Sequence, residues 1–437
     1  MRAASRGLIA FFLFYSASGG VLATAGTGIV HDSDSDLELI QAYLQQHANE
    51  TFRRANGLLQ YPYLVPSGPY EQCWDWDSVF TGVGLLGLGG APYLAGSMKN
   101  FFHMTNVSTG DVTQCLDPTT AAPSCSSSNE SEAVGAHAKP LLIQGALFAA
   151  RYLGDFDQFL EFRPQMEALL GYWERERIDA ATGALFTWHD QMESGADNMP
   201  TSACPTVRSA CWDESTDANT LASADVATQM AREHRAFAEF LDHWGATAAA
   251  PEAAAAAKMR TEMRTEAATH RRRATQIAAA INEHLWAADD EQFVAINTTT
   301  RALISNAVYL AGVPLWAGKG AMTEQRAAAA AARVMQPDLF SDWGVRSTSS
   351  LDPWYEKRWR CRLSCFFLLS VFFFLGKFSF FGRRGGGGAG QCITDRGHTR
   401  TPARILCACF PAVCLPSSGE TSARAMAARC FDEEARQ

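Results

Sequence analysis

The sequence lacks an excess of basic charge, sustained β-strand alternation and any fixed-period repeat. Its 37 Lys and Arg residues stand against 46 Asp and Glu residues, which gives a formal net charge of −9. A protein that neutralises nucleic-acid phosphates needs clustered Lys and Arg, so this balance argues against a nucleic-acid partner. The one dense basic run, from His270 to Arg273, lies in an alanine-rich stretch and is typical of a solvated helix face.

Long apolar runs are also missing. The N-terminus reads basic "MRAASR", apolar "GLIAFFLFY" and then small residues, which predicts a signal peptide over residues 1–25 with cleavage after Ala23 or Ala25. An uncleaved signal anchor is the alternative, although the apolar run is short for a membrane span. Four Asn-x-Ser/Thr acceptors follow, and with the signal they favour the secretory pathway, either the endoplasmic reticulum lumen or secretion. These acceptors are Asn49, Asn106, Asn129 and Asn297.

Cysteine is sparse in the part of the chain that is patterned like a globular protein. Cys115 and Cys125 bracket a short loop, as do Cys204 and Cys211, which suits local disulfides in an oxidising compartment. Cys73 is then left over, and we expect it to be a buried thiol.

Helical periodicity runs through the chain from residue 36 onward, so we predict an all-α fold made of helix pairs, either a barrel or a solenoid. The composition between Gly245 and Arg273 narrows to strong helix formers and predicts a solvated outer helix. The helical stretches include "DLELIQAYLQQHANETFRRA", "SVFTGVGLLGLGG", "KPLLIQGALFAARYLGD", "DQFLEFRPQMEALLGYWERER", "LASADVATQMAREHRAFAEFLDHWG", "NAVYLAGVPLWAG" and "EQRAAAAAARVM".

After Tyr355 the character of the sequence changes. Residues 356–437 are rich in Cys, Arg and Gly, and resemble non-coding sequence translated through a missed splice boundary. The apolar run within residues 365–381 is interrupted by Lys377 and is short for a span of about 20 residues, so a membrane anchor there is the less favoured alternative. The cysteines and His398 in this tail fit no paired zinc-ligand spacing, and we predict neither a metal nor a cofactor.

The stretch "GPYEQCWDWDSVF" combines aromatic rings with carboxylates at the start of a helical run. Indole rings offer apolar faces, while carboxylates accept hydrogen bonds from hydroxyl groups, and a sugar presents both kinds of surface. Asp77 could equally be a helix N-cap. The residues concerned are Tyr70, Trp74, Asp75, Trp76 and Asp77.

Two further stretches carry polar groups in suggestive places. Gln144 shares an apolar helix with Leu142, and there it either caps a neighbouring helix end or binds hydroxyls in a pocket. In "WHDQMESGADNMP", the carboxylates Glu193 and Asp197 flank Gly195, a residue that lets the backbone approach a ligand closely. This stretch is either an acid/base site or a polar surface loop.

These elements resemble, in their order, the (α/α)6-barrel glycoside hydrolases of family 63, and most of all the branch with mannosylglycerate hydrolases and processing α-glucosidases. The trehalases of family 37 are more distant relatives. The resemblance covers residues 36–355 and rests on "PYEQCWDWDSVF", "AKPLLIQGAL", "WHDQMESGADNMP" and "DWGVRSTSS". It implies an incomplete (α/α)6 barrel, because helices that close the barrel in the family have no counterpart here.

The resemblance also implies roles for individual residues. Asp197 matches the general acid that protonates the glycosidic oxygen, and Gly195 matches a backbone contact to the sugar. Glu193 has a supporting role, and Arg232 is loosely similar to a substrate-contacting arginine. The remaining matches line the sugar pocket: Tyr70, Trp74, Asp75, Trp76, Asp77, Gln144, Trp188 and His189.

The family's general base has no counterpart in this sequence. The base is a glutamate that follows an aromatic Gly-Pro-Val-Trp segment, and neither stands here; Glu356, Glu420, Glu433 and Glu434 lie in other contexts. The resemblance therefore predicts an inverting glycoside hydrolase for an α-linked gluco- or manno-saccharide that is inactive in this form. The alternative is a carbohydrate-binding protein that catalyses nothing.

Overall fold

The secondary structure is mainly helical, with short strands between the helices. The computed structural model describes residues 33–120, 137–189, 191–194, 220–247, 253–304, 309–318, 322–341, 344–345 and 349–350. The α-helices are α1 (Ser33–His47), α2 (Asp75–Gly84), α3 (Ala91–Met104), α4 (Leu142–Leu153), α5 (Arg163–Glu176), α6 (Gln191–Ser194), α7 (Ala224–Thr247), α8 (Ala253–His284) and α9 (Glu324–Val334). The 3-10 helices are Ala48–Thr51, Leu86–Leu88, Asp157–Phe162 and Tyr309–Ala317.

The strands form small antiparallel ladders. They are β1 (Phe52–Arg53), β2 (Tyr63–Leu64), β3 (Cys73–Trp74), β4 (Cys115–Leu116), β5 (Leu221–Ala222), β6 (Trp286–Ala287), β7 (Gln292–Phe293), β8 (Ala295–Asn297), β9 (Leu303–Ile304), β10 (Phe340–Ser341) and β11 (Gly344–Val345). β1 pairs with β2, β3 with β4, β6 with β7 and β10 with β11, while β5, β8 and β9 form a three-stranded sheet in that order. In the β3–β4 ladder Trp74 lies opposite Cys115.

The chain divides into two units. The main unit comprises His47–Asn306 and Leu310–Arg333, and the smaller unit comprises Met1–Gln46, Ala307–Tyr309 and Val334–Gln437. In the smaller unit the structure describes most of α1 and the β10–β11 hairpin. There the Ser349 hydroxyl donates a hydrogen bond to Asp338, and the Ser350 amide donates to the Asp338 carbonyl over 2.9 Å.

In the main unit, α4 lies between α2 and α7, and α3, α5 and α8 pack against this inner layer. Every residue of α4 from Leu142 to Ala150 is buried, because neighbouring helices pack against this part of α4 on several sides. Gly145 permits this packing, because a Cβ atom there would lie 2.6 Å from Met98 Sδ on α3 and 2.9 Å from Val79 Cγ2 on α2. The prediction of an all-α fold built from helix pairs is confirmed.

The helix α8 agrees in part with the outer helix expected from composition. Many of its side chains are exposed, but one stripe packs along α7 and is buried. This stripe consists of Ala256, Met263, Ala267, Ala274, Ile277 and Ile281. Because alanine is small, the two helix backbones can approach each other closely over several turns.

Two other elements differ from the local predictions. The helix α3 was not predicted, although Pro92 in its first turn is a common helix-start signal. The stretch "NAVYLAGVPLWAG" was expected to be helical, and its described part is a 3-10 helix that contains Pro314. Proline lacks the amide hydrogen that a regular α-helix requires, which favours the irregular form.

The cysteine predictions hold where they fall on described residues. Cys73 is a free, fully buried thiol, and burial raises its pKa to about 12, which makes it inert. Cys115 is disulfide-bonded, as predicted. Its expected partner Cys125 and the pair Cys204 and Cys211 lie outside the described residues.

The predicted signal peptide and the tail from residue 356 also lie outside the described residues, so these boundaries stay predictions. Within the part of the chain that the structure describes, no helix is both long and apolar enough to cross a membrane.

Candidate active site

The predicted sugar-binding residues cluster where β3 passes into α2. The Asp75 amide donates to the Gln114 carbonyl over 2.9 Å, which ties the start of α2 to the segment before β4. Trp74 and Trp76 are both partly exposed, and the Trp76 ring packs edge-on against Phe80 at 6.2 Å between centroids. The indole nitrogen of Trp74 is buried without a hydrogen-bond partner among the described residues.

Asp75 is a structural residue rather than a free carboxylate. It is fully buried, and its Oδ1 accepts from the Trp76 amide over 2.6 Å. Its Oδ2 accepts from the Lys139 amide over 2.7 Å, and the Lys139 ammonium lies 3.4 Å from Oδ1. The carboxylate therefore joins the N-terminal end of α2 to the segment that leads into α4.

Asp77 lies in the first turn of α2 and is not its N-cap, since the cap position belongs to Trp74. Burial and the neighbouring Asp75 charge raise the pKa of Asp77 to about 6, against the lowering influence of Lys139. Asp77 as a whole residue is partly exposed, and it lies between the partly exposed Trp76 and the buried Ser78.

Gln144 links two helices of the inner layer. Its side-chain nitrogen donates to the Pro140 carbonyl over 2.9 Å and to the Gln229 carbonyl over 3.1 Å. Its side-chain oxygen accepts from Arg232 Nε over 2.7 Å. Protein groups thus use both donor hydrogens of the amide, and a sugar hydroxyl would have to use the remaining lone pair on the oxygen.

Glu233 was missed by the sequence reading, although it lies next to Arg232. From α7 its two carboxylate oxygens accept the amides of Ile143 and Gln144 over 3.0 and 2.9 Å, which caps the N-terminus of α4. Burial raises its pKa to about 7, because the charged form is poorly solvated there. No local signal marks such a residue, since its role depends on a neighbouring helix.

Arg232 contacts both Gln144 and Trp316. Its guanidinium lies 4.6 Å from the Trp316 ring centroid and donates to the Trp316 carbonyl over 2.5 Å. Trp316 in turn lies 5.9 Å from the Phe80 ring, which packs against Trp76. Burial and the nearby charge of Arg235 lower the Arg232 pKa to about 9. This series of ring contacts joins the α2 cluster to the Gln144 group.

Glu193 is fully buried and anchored by several donors. Arg177 Nη2 lies 2.9 Å from its Oε1, and Arg177 Nε is 3.2 Å from both oxygens. The amides of His137 and His189 also donate to the Glu193 carboxylate, over 3.3 and 2.5 Å. These contacts tie Glu193 to the segments at His137 and His189, and its supporting role in catalysis stays a prediction.

Trp188 is buried and its indole nitrogen donates to Asp225 Oδ2 over 3.2 Å. Asp225, in the first turn of α7, also accepts from the Ser223 hydroxyl. Burial raises its pKa above the usual value for an aspartate. The sequence reading missed Asp225, although an acidic residue in the first turn of a long helix is a recognisable signal.

The segment His137–Pro140 connects three of these groups. The His137 amide contacts Glu193, the Lys139 amide contacts Asp75, and the Pro140 carbonyl accepts from Gln144. A small cavity beside Lys139 and Glu233 has about 10 Å³, which holds at most one water and no sugar.

Three predicted residues lie apart from this group. Tyr70 has an exposed side chain, and its carbonyl accepts from Arg53 Nη2 over 2.8 Å. Gly195 and Asp197, including the predicted general acid, lie outside the described residues. The assignment of these and the other predicted site residues to substrate stays a prediction.

Comparison with solved structures shows the fold. An uncharacterised conserved protein from Thermus thermophilus aligns at a TM-score of 0.50 and 14% identity, over 72% of this chain and 81% of that one. The mannosylglycerate hydrolase of glycoside hydrolase family 63 from the same organism, in complex with glucose, aligns at 0.48 and 14%, over 79% and 88%. Neutral trehalase Nth1 from Saccharomyces cerevisiae aligns at 0.47 and 16%, over 66% and 57%.

The chain has no significant match among curated protein sequences. A protein-family model matches residues 70–364, which is more than half of the chain. The predicted all-α architecture of the (α/α)6 glycosidase type is confirmed, while the number of hairpins that the chain completes stays a prediction. The chain belongs to the family described as the mannosylglycerate hydrolase MGH1-like glycoside hydrolase domain.

Proposed function

We propose that this glycoside hydrolase domain binds an α-linked gluco- or manno-saccharide, as processing α-glucosidases or mannosylglycerate hydrolases do. The observation that supports this most is the group at the start of α2. The partly exposed residues Trp74, Trp76 and Asp77 lie together there. Apolar ring faces would stack on the sugar's C–H face, while the Asp77 carboxylate would contact hydroxyl groups.

The proposed reaction is hydrolysis with inversion. One carboxylic acid protonates the leaving oxygen, and a second carboxylate activates a water on the opposite face, with roughly 6.5–9.5 Å between the two groups. We assign the acid role to Asp197. Glu193 does not suit the base role, because its oxygens are engaged by Arg177 and by two backbone amides.

We further propose that this sequence binds its sugar without turnover. None of the four glutamates after Tyr355 stands in the context of the family's base. Without a positioned base, water on the far side of the sugar is not activated and the inverting displacement stalls. A chain with these residues would then act only as a carbohydrate-binding protein.

Calorimetric titration with gluco- and manno-oligosaccharides, combined with chromatographic detection of released sugar, tests the proposal. We expect binding without hydrolysis, with affinity lost in Asp77→Asn and retained in Asp290→Asn, an exposed turn residue that serves as the matched control. Turnover that Asp197→Asn abolishes would refute the inactivity and retain the acid assignment. Absence of binding to every sugar would refute the proposed function.

We also propose that the protein enters the secretory pathway and carries N-linked glycans. Asn106 and Ser108 are both exposed, and the Ser108 hydroxyl donates to the Asn106 side-chain oxygen over 2.7 Å. Asn297 is less exposed, and its oxygen accepts the amides of Thr299 and Thr300. After expression in a secreting eukaryotic host, a glycosidase-sensitive mass that Asn106→Gln lowers more than Asn297→Gln would support this. An unmodified intracellular product would refute it.

A further inference from the structure

Lys139 places a positive charge in the interior directly beneath the candidate sugar site. Only 2% of its side chain is exposed. Its ammonium nitrogen lies 3.4 and 3.5 Å from the two Asp75 oxygens and 3.3 Å from Gln114 Oε1. It also lies 4.8 Å from the centroid of the Trp76 ring. The charge therefore contacts α2, the segment before β4 and one face of an indole.

Stability alone does not explain such a group. Removing a lysine and a carboxylate from water is costly, and an apolar pair of similar volume is often at least as stable. The ammonium distances are also longer than the 2.7–2.9 Å or so that is typical of strong charge-assisted hydrogen bonds. The pair is better explained by what its charge does to neighbouring groups.

Asp77 is the neighbour that this charge affects. The titratable groups that face Asp77 are Asp75 on its own helix, Lys139 from the segment before α4, and the Cys73 thiol on β3. Asp75 disfavours a second negative charge, while Lys139 favours it. Without Lys139, burial and Asp75 would both act to keep Asp77 protonated.

We propose that Lys139 is a positioning residue for the sugar site: its ammonium neutralises Asp75, holds one face of the Trp76 ring, and keeps Asp77 charged at neutral pH. This inference rests on the proposed function, in which a sugar contacts Asp77 and stacks on Trp76. With Lys139 on one face of the indole, the sugar uses the opposite face. An ionised Asp77 then accepts hydrogen bonds from two hydroxyl groups, whereas a protonated one accepts less strongly.

The test is a carboxyl titration of the full-length chain labelled with ¹³C at aspartate, with Asp77→Asn used to assign the signal. In Lys139→Met the titration midpoint of Asp77 should rise by about one pH unit or more, because a neighbouring positive charge is gone. Lys139→Arg should restore the midpoint, since it retains the charge. Sugar affinity measured by calorimetry should follow the same midpoint. A midpoint that rises from about 6 to about 7 halves the ionised fraction at pH 7, so Lys139→Met should bind about twofold more weakly there and recover in alkaline buffer.

An unchanged Asp77 midpoint in Lys139→Met would overturn the inference, as would an affinity loss that is equal at every pH. If Lys139→Met does not fold, the comparison is made in the Asp75→Asn background, where the lysine no longer balances a buried carboxylate. Adding Lys139→Met there should raise the midpoint by a similar amount, and no difference would again overturn the inference. If the wild-type chain binds no sugar, the proposed function fails, while the carboxyl titration still decides whether Lys139 sets the charge of Asp77.

Discussion

The ion pair between Arg177 and Glu193 offers the sharpest stability test. Glu193 is fully buried and only 8% of the Arg177 side chain is exposed. Glu193→Ala removes the acceptor for the guanidinium and for two backbone amides, which leaves an uncompensated buried charge. We expect the free energy of unfolding to fall by about 3–5 kcal/mol, as is typical when one partner of a buried pair is removed. That is a large part of the roughly 5–15 kcal/mol that stabilises an ordinary domain.

Urea unfolding followed by tryptophan fluorescence measures this loss. Glu193→Gln keeps the volume and one acceptor oxygen, and we expect a smaller cost of about 1.5–3 kcal/mol. The matched control is Glu262→Ala, which breaks the exposed pair with Lys258 on α8 and should cost less than about 1 kcal/mol. A Glu193→Ala variant as stable as this control would refute the structural role.

Two further predictions concern packing and pH. Gly96→Ala should lower the free energy of unfolding by about 1–3 kcal/mol, because the added Cβ would lie 1.8 Å from the Pro62 carbonyl oxygen. Gly84→Ala is the control, since a Cβ at Gly84 would meet no atom within 4 Å, and the same urea assay should show that it is tolerated. For Glu233, a folded-state pKa raised from 4.5 to about 7 means that the native protein holds the proton more tightly than the unfolded chain. As the pH rises from 4.5 to about 7, the free energy of unfolding should therefore fall by about 3 kcal/mol. The urea midpoint of Glu233→Gln should lack this pH dependence. Equal pH profiles for the variant and the wild type would contradict the raised pKa of Glu233.

Helix periodicity predicted much of this fold because it is a local property. An apolar stripe such as the one in α4 can be read from one segment, and so can the strong helix formers of α8. Periodicity did not predict α3, because "APYLAGSMKNFFHM" mixes glycine, proline and polar residues. This helix depends on packing against α2 and α4. The short ladders, such as β3 with β4, could not be predicted, since strands of two residues carry no alternation.

The candidate site could be predicted only as a set of residue types. The motif around Trp74 and Asp77 showed that rings and carboxylates come together, but not which carboxylate is buried. Asp75 rather than Asp77 bears the ion pair, and this depends on Lys139, which is 64 residues away in sequence. The contacts of Glu233 and Asp225 could not be predicted for the same reason, although the position of Asp225 in the first turn of α7 is a local signal. Their buried carboxylates meet backbone or indole hydrogens of elements that are distant along the chain.

The carboxylates of this region divide into two kinds according to their partners. Asp75, Glu193, Asp225 and Glu233 are buried, and each accepts hydrogen bonds from groups on other elements. Asp75, Asp225 and Glu233 hold the N-terminal ends of inner helices in place, while Glu193 holds the segments at His137 and His189. Asp77 differs, because part of its surface reaches solvent beside two indole rings. A buried carboxylate that already accepts several hydrogen bonds cannot also activate water without breaking them. The base of an inverting reaction would therefore have to be a carboxylate other than these four, whereas sugar binding needs only Asp77 and its neighbouring rings.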